Sequence, residues 1–166
     1  SAYMRLFFAA CIVILLFNQQ KVSAEQIDIA SKTEQISTFF DAYMNKYNHY
    51  LTTNEFNDSP YLYHDTLMVM SSSVAPYTIG DSAFYQRTRA FLDNLKEQGV
   101  RKISWVDINV HMIDKNLAIA SNTAARYLEN GDEFNRVGVT YMMRKTNDEW
   151  RITSFMVHDA AGVIDF

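Results

Sequence analysis

Four consecutive segments near the C-terminal end of the chain alternate apolar and polar residues, and this feature limits the fold most. They run over Arg101–Asp114, Leu117–Glu129, Phe134–Lys145 and Trp150–His158, separated by short polar turns. An alternation of period two with one polar face is typical of a half-buried antiparallel strand. The turn at Asn130-Gly131-Asp132 favours a hairpin, because Asn and Gly tolerate a positive φ. The sequence therefore predicts a meander of four strands.

The residues before this meander predict two helices and a short strand. Ser31-Lys32-Thr33-Glu34 has the form of a capping box, and apolar residues follow it at intervals of three and four as far as Leu51. A short strand over Leu62–Met70, a loop over Ser71–Gly80 and a second helix over Ser82–Gln98 follow. Helices that precede a run of strands argue for an α+β fold with an antiparallel sheet.

Composition narrows the class of protein. The chain has 166 residues, of which 48% are hydrophobic, and this is enough for one domain with its own core. The formal net charge is −4 and there is no basic stripe, so we expect no nucleic-acid partner. Cys11 is the only cysteine, which excludes an intramolecular disulfide.

The first 24 residues have the pattern of an export signal. Met4-Arg5 precedes an apolar run, Leu6–Phe17, and Val22-Ser23-Ala24 resembles a small-residue cleavage site. We expect residues 1–24 to be a leader, formed by a vector-derived remnant and a signal peptide cleaved after Ala24. Residues 25–166 would then form a single domain. Such a mature chain would be acidic and free of thiols, which suits a periplasmic or secreted protein.

Two alternatives to this leader remain open from the residues alone. Phe8-Ala9-Ala10-Cys11 has the form of a lipidation site, although Cys11 lies in the middle of the apolar run rather than at its end. An uncleaved helix that packs on the domain or on a partner is the other alternative. The apolar run is too short to span a bilayer, so contact with a membrane is expected only through the leader.

The order of elements and several short motifs resemble the nuclear-transport-factor-two-like superfamily, and within it the SnoaL-like and ketosteroid-isomerase-like branch. The resemblance covers about Ser31 to Asp159. It is carried by the first helix ending near Tyr50, by Tyr63-His64-Asp65 before Thr66–Met70, by the loop that closes on Gly80, and by the last hairpin with Thr140–Lys145, Trp150-Arg151-Ile152 and His158.

This resemblance implies a cone, in which a strongly curved antiparallel sheet wraps around the N-terminal helices and leaves a pocket at the open end. Members of the superfamily include isomerases, dehydratases and other enzymes, and also many binding or scaffolding domains without catalytic activity. They often dimerise through the sheet, so the resemblance implies a homodimer. A fold of this kind does not by itself select one of these functions.

Three residues are candidates for catalysis. His158 shares a strand face with Trp150 and Met156 and has a side chain suited to proton transfer near neutral pH. Asp65 lies near a strand start where superfamily members often carry an acid, and apolar surroundings would raise its pKa. Tyr141 is expected on the inward face of its strand, where a phenol can polarise a carbonyl. The structural alternatives are a strand-end histidine, a turn-forming aspartate and a core tyrosine.

Five further residues are candidates for ligand binding: Tyr43, Tyr47, Asn122, Trp150 and Met156. Tyr43 and Tyr47 lie on the apolar stripe of the first helix, where buried phenols need hydrogen-bond partners. Asn122 shares a strand face with Arg126, so this pair is suited either to an anionic ligand or to an acid across the sheet.

The sequence favours chemistry without a metal or a cofactor. Its histidines show no metal-binding spacing, and there is no Gly-rich phosphate loop and no nucleophile motif. We therefore expect an exported domain that binds a small apolar or aromatic molecule or acts as an interaction domain. The alternative is a cofactor-independent isomerase, dehydratase or lyase, with Asp65 or His158 as general acid or base. As a third possibility, the outer sheet face around Phe155 and Val157 would form an interface with a partner.

Overall fold

A computed structural model describes the backbone of residues 2–166 and the side chains of residues 18–166. The apolar run of the predicted leader, Leu6–Phe17, and the alternative lipidation site at Cys11 lie outside the described side chains. Over residues 2–166 the chain forms two helices, six strands and a short 3-10 turn. In order these are α1 (Ala2–Thr53), β1 (Tyr63–Ser71), β2 (Tyr77–Gly80), α2 (Asp81–Glu97), β3 (Val100–Met112), β4 (Leu117–Leu128), β5 (Glu133–Thr146), β6 (Glu149–His158) and the 3-10 turn Ala160–Gly162.

The strands form one curved, unclosed sheet in the order β2-β1-β6-β5-β4-β3. Strands β3 to β6 are the antiparallel meander predicted from the alternation, and β1 pairs with β6 in parallel. The predicted α+β fold with a curved sheet and N-terminal helices is therefore confirmed. Strand β2 falls in the segment predicted as a loop, because four residues at a sheet edge give too short an alternation to recognise.

The predicted start of the first helix is wrong, because α1 continues through the capping box and through the expected cleavage site. Neither proline nor glycine occurs between Ala2 and Thr53, so no residue interrupts the helix there. The ion pair between Lys32 and Asp28, four residues apart, lies across the predicted boundary. Residues 18–31 are all exposed, and Ile36 is the first buried residue among those with described side chains.

The apolar stripe of α1 lies inside the curve of the sheet, as its spacing predicts. Its buried residues include Phe40, Tyr43, Tyr47 and Leu51. The indole nitrogen of Trp105 on β3 donates a hydrogen bond to the main-chain oxygen of Phe40, at 2.8 Å, and so joins the helix to the sheet. No helix in the part of the chain with described side chains is long and apolar enough to cross a bilayer.

A β-bulge in β6 decides which side chains of this strand face inward. Met143 pairs with Ile152, whereas Met142 pairs with Ser154, so Thr153 is an extra residue without a partner in β5. The extra residue reverses the alternation after it. Trp150 and Ile152 face inward before the bulge, but Phe155 and Val157 face inward after it. The predicted placement of Phe155 and Val157 on an exposed outer face is therefore wrong.

The residues after β6 cross the outer face of the sheet. The backbone N–H of Ile164 donates to the hydroxyl of Ser121, at 2.9 Å, on β4. Further along, the ring of Phe166 stacks on His111 of β3 with 5.1 Å between ring centroids. We call residues 159–166 the C-terminal tail. The tail covers polar side chains on the outer face of β4 and β5. The alternation of these strands alone predicts that this face is exposed to solvent.

Candidate functional site

A cavity of about 300 Å³ lies between α1, α2 and the inner face of the sheet. Its volume corresponds to about ten water molecules, which is the low end of the range for small-molecule sites. It has an aromatic floor, apolar walls and a rim that carries two arginines. The lining residues are Tyr43, Met44, Tyr47, Val69, Tyr77, Phe84, Arg87, Thr88, Phe91, Ile103, Trp105, Ala124, Arg126, Val137, Val139, Tyr141, Phe155 and Val157.

Three buried tyrosines form the floor. Tyr43 and Tyr47, four residues apart on α1, stack with 4.3 Å between ring centroids. Tyr141 of β5 reaches the same place from the sheet, and its hydroxyl lies 3.4 Å from that of Tyr43. The hydroxyl of Tyr47 is hydrogen-bonded to that of Tyr63 on β1. Helix and sheet therefore bring four phenols into one cluster.

Burial keeps three of these phenols neutral. Desolvation raises the pKa of Tyr47, Tyr63 and Tyr141 well above the ordinary tyrosine value, because a phenolate has no water around it there. Neighbouring phenols, Tyr43 first among them, raise each pKa further. The three groups therefore keep their protons at neutral pH. A neutral phenol can donate a hydrogen bond to an oxygen atom of a ligand.

Small and branched residues of the sheet leave the room above this floor. Ala124 of β4 pairs with Trp105 on one side and with Val137 on the other, and all three line the cavity. An alanine at this position is what allows the large indole of Trp105 to lie beside open space. Phe155 and Val157, turned inward by the bulge, complete the wall next to β5.

The rim carries the charge of the site. Arg126 of β4 is partly buried, and its guanidinium lies 5.2 Å from the centre of the Phe91 ring on α2. Arg87, one helical turn before Phe91, is exposed and lies 4.9 Å from the ring of Tyr77. Burial lowers the pKa of Arg126, because its charge is partly removed from water. The lining residues of the cavity include no aspartate, glutamate or histidine.

The structure brings three of the predicted site residues together. Tyr43, Tyr47 and Tyr141 all line the cavity, as does Arg126, which the sequence paired with Asn122. Asn122 lies on the inner face of β4 but is completely buried and does not line the cavity. Its side-chain amide has no hydrogen-bond partner among the described residues.

The other predicted residues lie elsewhere. Trp150 is buried, but against α1 beside a separate surface groove, so it is away from the cavity. Asp65 is exposed on β1, in the stretch between Tyr63 and Met68 where the pairing with β6 shifts register and the alternation is interrupted. Its carboxylate therefore faces solvent rather than the apolar surroundings that were expected.

His158 and Met156 were predicted to face the pocket, and the bulge at Thr153 places both on the outer face. Met156 is 42% exposed. The Nε2 atom of His158 lies 2.8 Å from the Thr140 hydroxyl, and Nδ1 lies 2.7 Å from the main-chain oxygen of Asp159. Since a carbonyl only accepts, Nδ1 carries the proton and Nε2 accepts from Thr140. This histidine holds the start of the C-terminal tail.

Sequence reasoning missed Trp105, Arg87, Phe155 and Val157. Trp105 and Arg87 carried a usable signal, because a tryptophan on a half-buried strand and an arginine on the apolar face of α2 are both unusual. The alternation of residue types in β6 does not indicate that Phe155 and Val157 face inward. The bulge changes their direction without changing the sequence pattern. Among the residues with described side chains, no group of three His, Cys, Asp or Glu residues is placed to hold a metal ion.

Comparison with known proteins agrees with this architecture. The model of the family described as "NTF2-like protein (DUF6841)" matches residues 33–160. A search of curated proteins found no match. Many solved structures are similar, and at these low identities the likeness shows the fold alone.

Three of these structures illustrate the likeness. An NTF2-like protein of unknown function from Shewanella oneidensis is 16% identical with a TM-score of 0.54, covering 77% of this chain and 99% of its own. One with a cystatin-like fold from Novosphingobium aromaticivorans is 14% identical with a TM-score of 0.59, covering 84% and 88%. Aln2 from a Streptomyces species is 12% identical with a TM-score of 0.58, covering 79% and 92%. Together with the cone-like fold, the match over residues 33–160 shows that the chain belongs to the NTF2-like family DUF6841.

Proposed function

We propose that this protein binds a small, largely apolar molecule in the cavity between α1, α2 and the sheet. The observation that carries this proposal is a cavity of about 300 Å³ with an aromatic floor and with apolar walls. Apolar surface that is not covered by protein favours a ligand that removes it from water. A ligand of about ten to fifteen non-hydrogen atoms would bind with a Kd on the order of 10–100 µM.

Binding without turnover is the function that the cavity supports best. The tyrosine hydroxyls could hold an oxyanion, as the isomerase, dehydratase or lyase alternative requires. That alternative also needs a group that moves a proton, and its two candidates, Asp65 and His158, lie outside the cavity. The described residues that line the cavity include no carboxylate or imidazole that could take this role.

Naphthalene, a neutral aromatic molecule that fits the cavity, tests the proposal by fluorescence titration. We expect the protein to bind it, and we expect Ala124→Phe to weaken binding at least tenfold by filling the space beside Trp105. Ala90→Phe, on the exposed surface of α2, is the matched control and should bind as the unchanged protein does. Circular dichroism confirms that both variants are folded. Absence of binding, or equal binding by Ala124→Phe, would contradict the proposal.

We also propose that the chain is exported and that its leader is removed after Ala24. The leader pattern supports this, and so does the exposure of residues 18–31, because cleavage would remove no described contact with the core. Intact mass measurement on protein from a periplasmic extract tests it. A chain that starts at Glu25 is expected, and a chain that still starts at Met4 would contradict export.

A homodimer formed through the outer face of the sheet is a further part of the proposal. Met68, Met142 and Met156 are 38%, 50% and 42% exposed on neighbouring strands of that face. Methionine adapts well to a partner surface. Sedimentation equilibrium should give a dimer that Met142→Glu converts to a monomer, whereas a monomeric unchanged protein would exclude this arrangement.

A further inference from the structure

The rim of the cavity indicates the chemical class of the ligand, which the proposed function leaves open. We propose that the ligand is a small amphipathic carboxylate, with its acid group held by Arg87 and Arg126 and its apolar part on the tyrosine floor. This inference rests on the proposed binding function. It adds a charged end to the ligand and gives the ligand one orientation in the cavity.

The first support is that Arg126 is placed for a ligand rather than for a protein acid. It is partly buried in the cavity wall, where a charge is costly unless it is paired. Its Nη1 atom donates to the neutral side chain of Asn135, at 3.1 Å, and no ion pair involves it among the described residues. A carboxylate bound at the rim would offset this partial loss of hydration.

Arg87 supplies a second cation at the same rim. It lies on the same face of α2 as Phe91, one turn away, and the Phe91 ring is also the one beside Arg126. The aromatic rings of Tyr77 and Phe91 lie beside the two guanidinium groups. No described ion pair involves Arg87 either. A guanidinium presents paired donors that match the two oxygens of a carboxylate.

Two arginines in the lining of one cavity, neither of them in a described ion pair, are unusual for this chain. The whole protein has a formal net charge of −4, with 19 acidic residues against 15 basic ones. The cavity lining nevertheless contains two arginines and no acidic residue. The positive rim is therefore a local feature that the overall composition does not explain, and it favours an anion over a neutral or cationic ligand.

The floor sets the orientation of the ligand. Tyr43, Tyr47 and Tyr141 are at most 9% exposed, and their hydroxyls are already bonded to each other or to Tyr63. This end of the cavity therefore favours an aromatic or aliphatic group that covers the rings. The acid group is left at the rim, where Arg87 remains exposed to water.

A matched pair of probes tests the inference, namely naphthoate and its neutral amide, naphthamide, which has almost the same shape. We expect the unchanged protein to bind naphthoate at least about tenfold more tightly, the effect of a hydrogen bond to a charged group. Arg126→Gln and Arg87→Gln should reduce this preference, and the double variant should abolish it. Arg89→Gln, which changes the same charge on α2 away from the cavity, is the control. Raising the salt concentration should weaken naphthoate binding and leave naphthamide binding unchanged.

The possible results separate this inference from the proposed function. Tight naphthoate binding that depends on both arginines supports both. Equal affinity for naphthoate and naphthamide, with naphthalene bound normally, overturns the carboxylate assignment and leaves the binding function in place. Failure of all three molecules to bind overturns both. A preference for naphthoate that survives the double variant, or that Arg89→Gln also removes, overturns the assignment to Arg87 and Arg126.

Discussion

The inner and outer faces of the sheet both bury hydroxyl groups, but they satisfy them in different ways. On the inner face, tyrosine hydroxyls bond to one another inside an aromatic cluster. On the outer face, Ser121 and Thr140 form a row that ends at His158 and at the main chain of the C-terminal tail. The outer row fixes one segment of the chain, whereas the inner cluster adjoins a space that a ligand can enter.

The largest difference between the faces is expected from neighbouring residues of β5. Tyr141 is 2% exposed on the inner face and Met142 is 50% exposed on the outer face. Tyr141→Ala should lower the free energy of unfolding by about 3–5 kcal/mol, the cost of removing a large aromatic side chain from a core. Met142→Ala should change the free energy of unfolding of the monomeric chain, measured below the concentration at which the proposed dimer forms, by about 0.5 kcal/mol or less. Urea unfolding measures both, and similar losses would show that the two faces are not packed differently.

A smaller effect is expected from the outer face. A Cβ atom at Gly138 would lie 2.6 Å from the ring of His158 and 2.7 Å from the main-chain oxygen of Asp159. Gly138→Ala should therefore cost about 1–3 kcal/mol and displace the C-terminal tail. Gly80→Ala is the control. The atom nearest to a Cβ at Gly80 is 3.8 Å away, so this substitution should leave the free energy of unfolding almost unchanged. Urea unfolding and limited proteolysis at residues 159–166 test this, and an intact tail in Gly138→Ala would show that His158 does not hold it.

The smallest effect is the contribution of one inner-face phenol to the pH dependence of stability. Because burial raises the pKa of Tyr47, Tyr63 and Tyr141 in the folded protein, their contribution to stability is fully present below about pH 10. Above that pH the unfolded chain loses these protons first, and stability falls by about 1.4 kcal/mol per pH unit for each phenol until the folded pKa is reached.

Urea unfolding between pH 9 and 11 measures this slope. Tyr47→Phe should remove the contribution of one phenol from the slope of the free energy of unfolding against pH. Tyr61→Phe, at a side chain that is 60% exposed, should leave it unchanged and serves as the control. A slope that is the same in Tyr47→Phe and in the unchanged protein would contradict the assignment of the alkaline loss to the buried cluster.

Most of the fold could be predicted from the sequence because its patterns are long. Three of the meander strands have at least 12 residues each, and the stripe of α1 repeats over several turns, so period and face are both clear. Strand β2 was missed because four residues at an edge show almost no pattern. The start of α1 was wrong because a capping box is only a local preference, and uninterrupted helix formers before it allow the helix to continue.

The candidate site was predictable only where side chains follow the regular period. Tyr43, Tyr47 and Tyr141 lie on unbroken patterns and were placed inward correctly. His158 and Met156 come after the bulge, so the same reasoning placed them on the wrong face. Asp65 was chosen by resemblance rather than by period, and the structure places it in solvent. The presence of Arg87 and Arg126 in the lining of one cavity depends on how α2 packs against the sheet, and no local pattern contains that information.

The single extra residue at Thr153 has a consequence for how related sequences are compared. An insertion or deletion of one residue in this strand exchanges the whole set of side chains that face the cavity, while composition and length hardly change. Two relatives that differ by one inserted residue here therefore present different walls to the cavity. For the ligand site proposed above, libraries that aim to change specificity should vary positions 155 and 157 rather than 154 and 156.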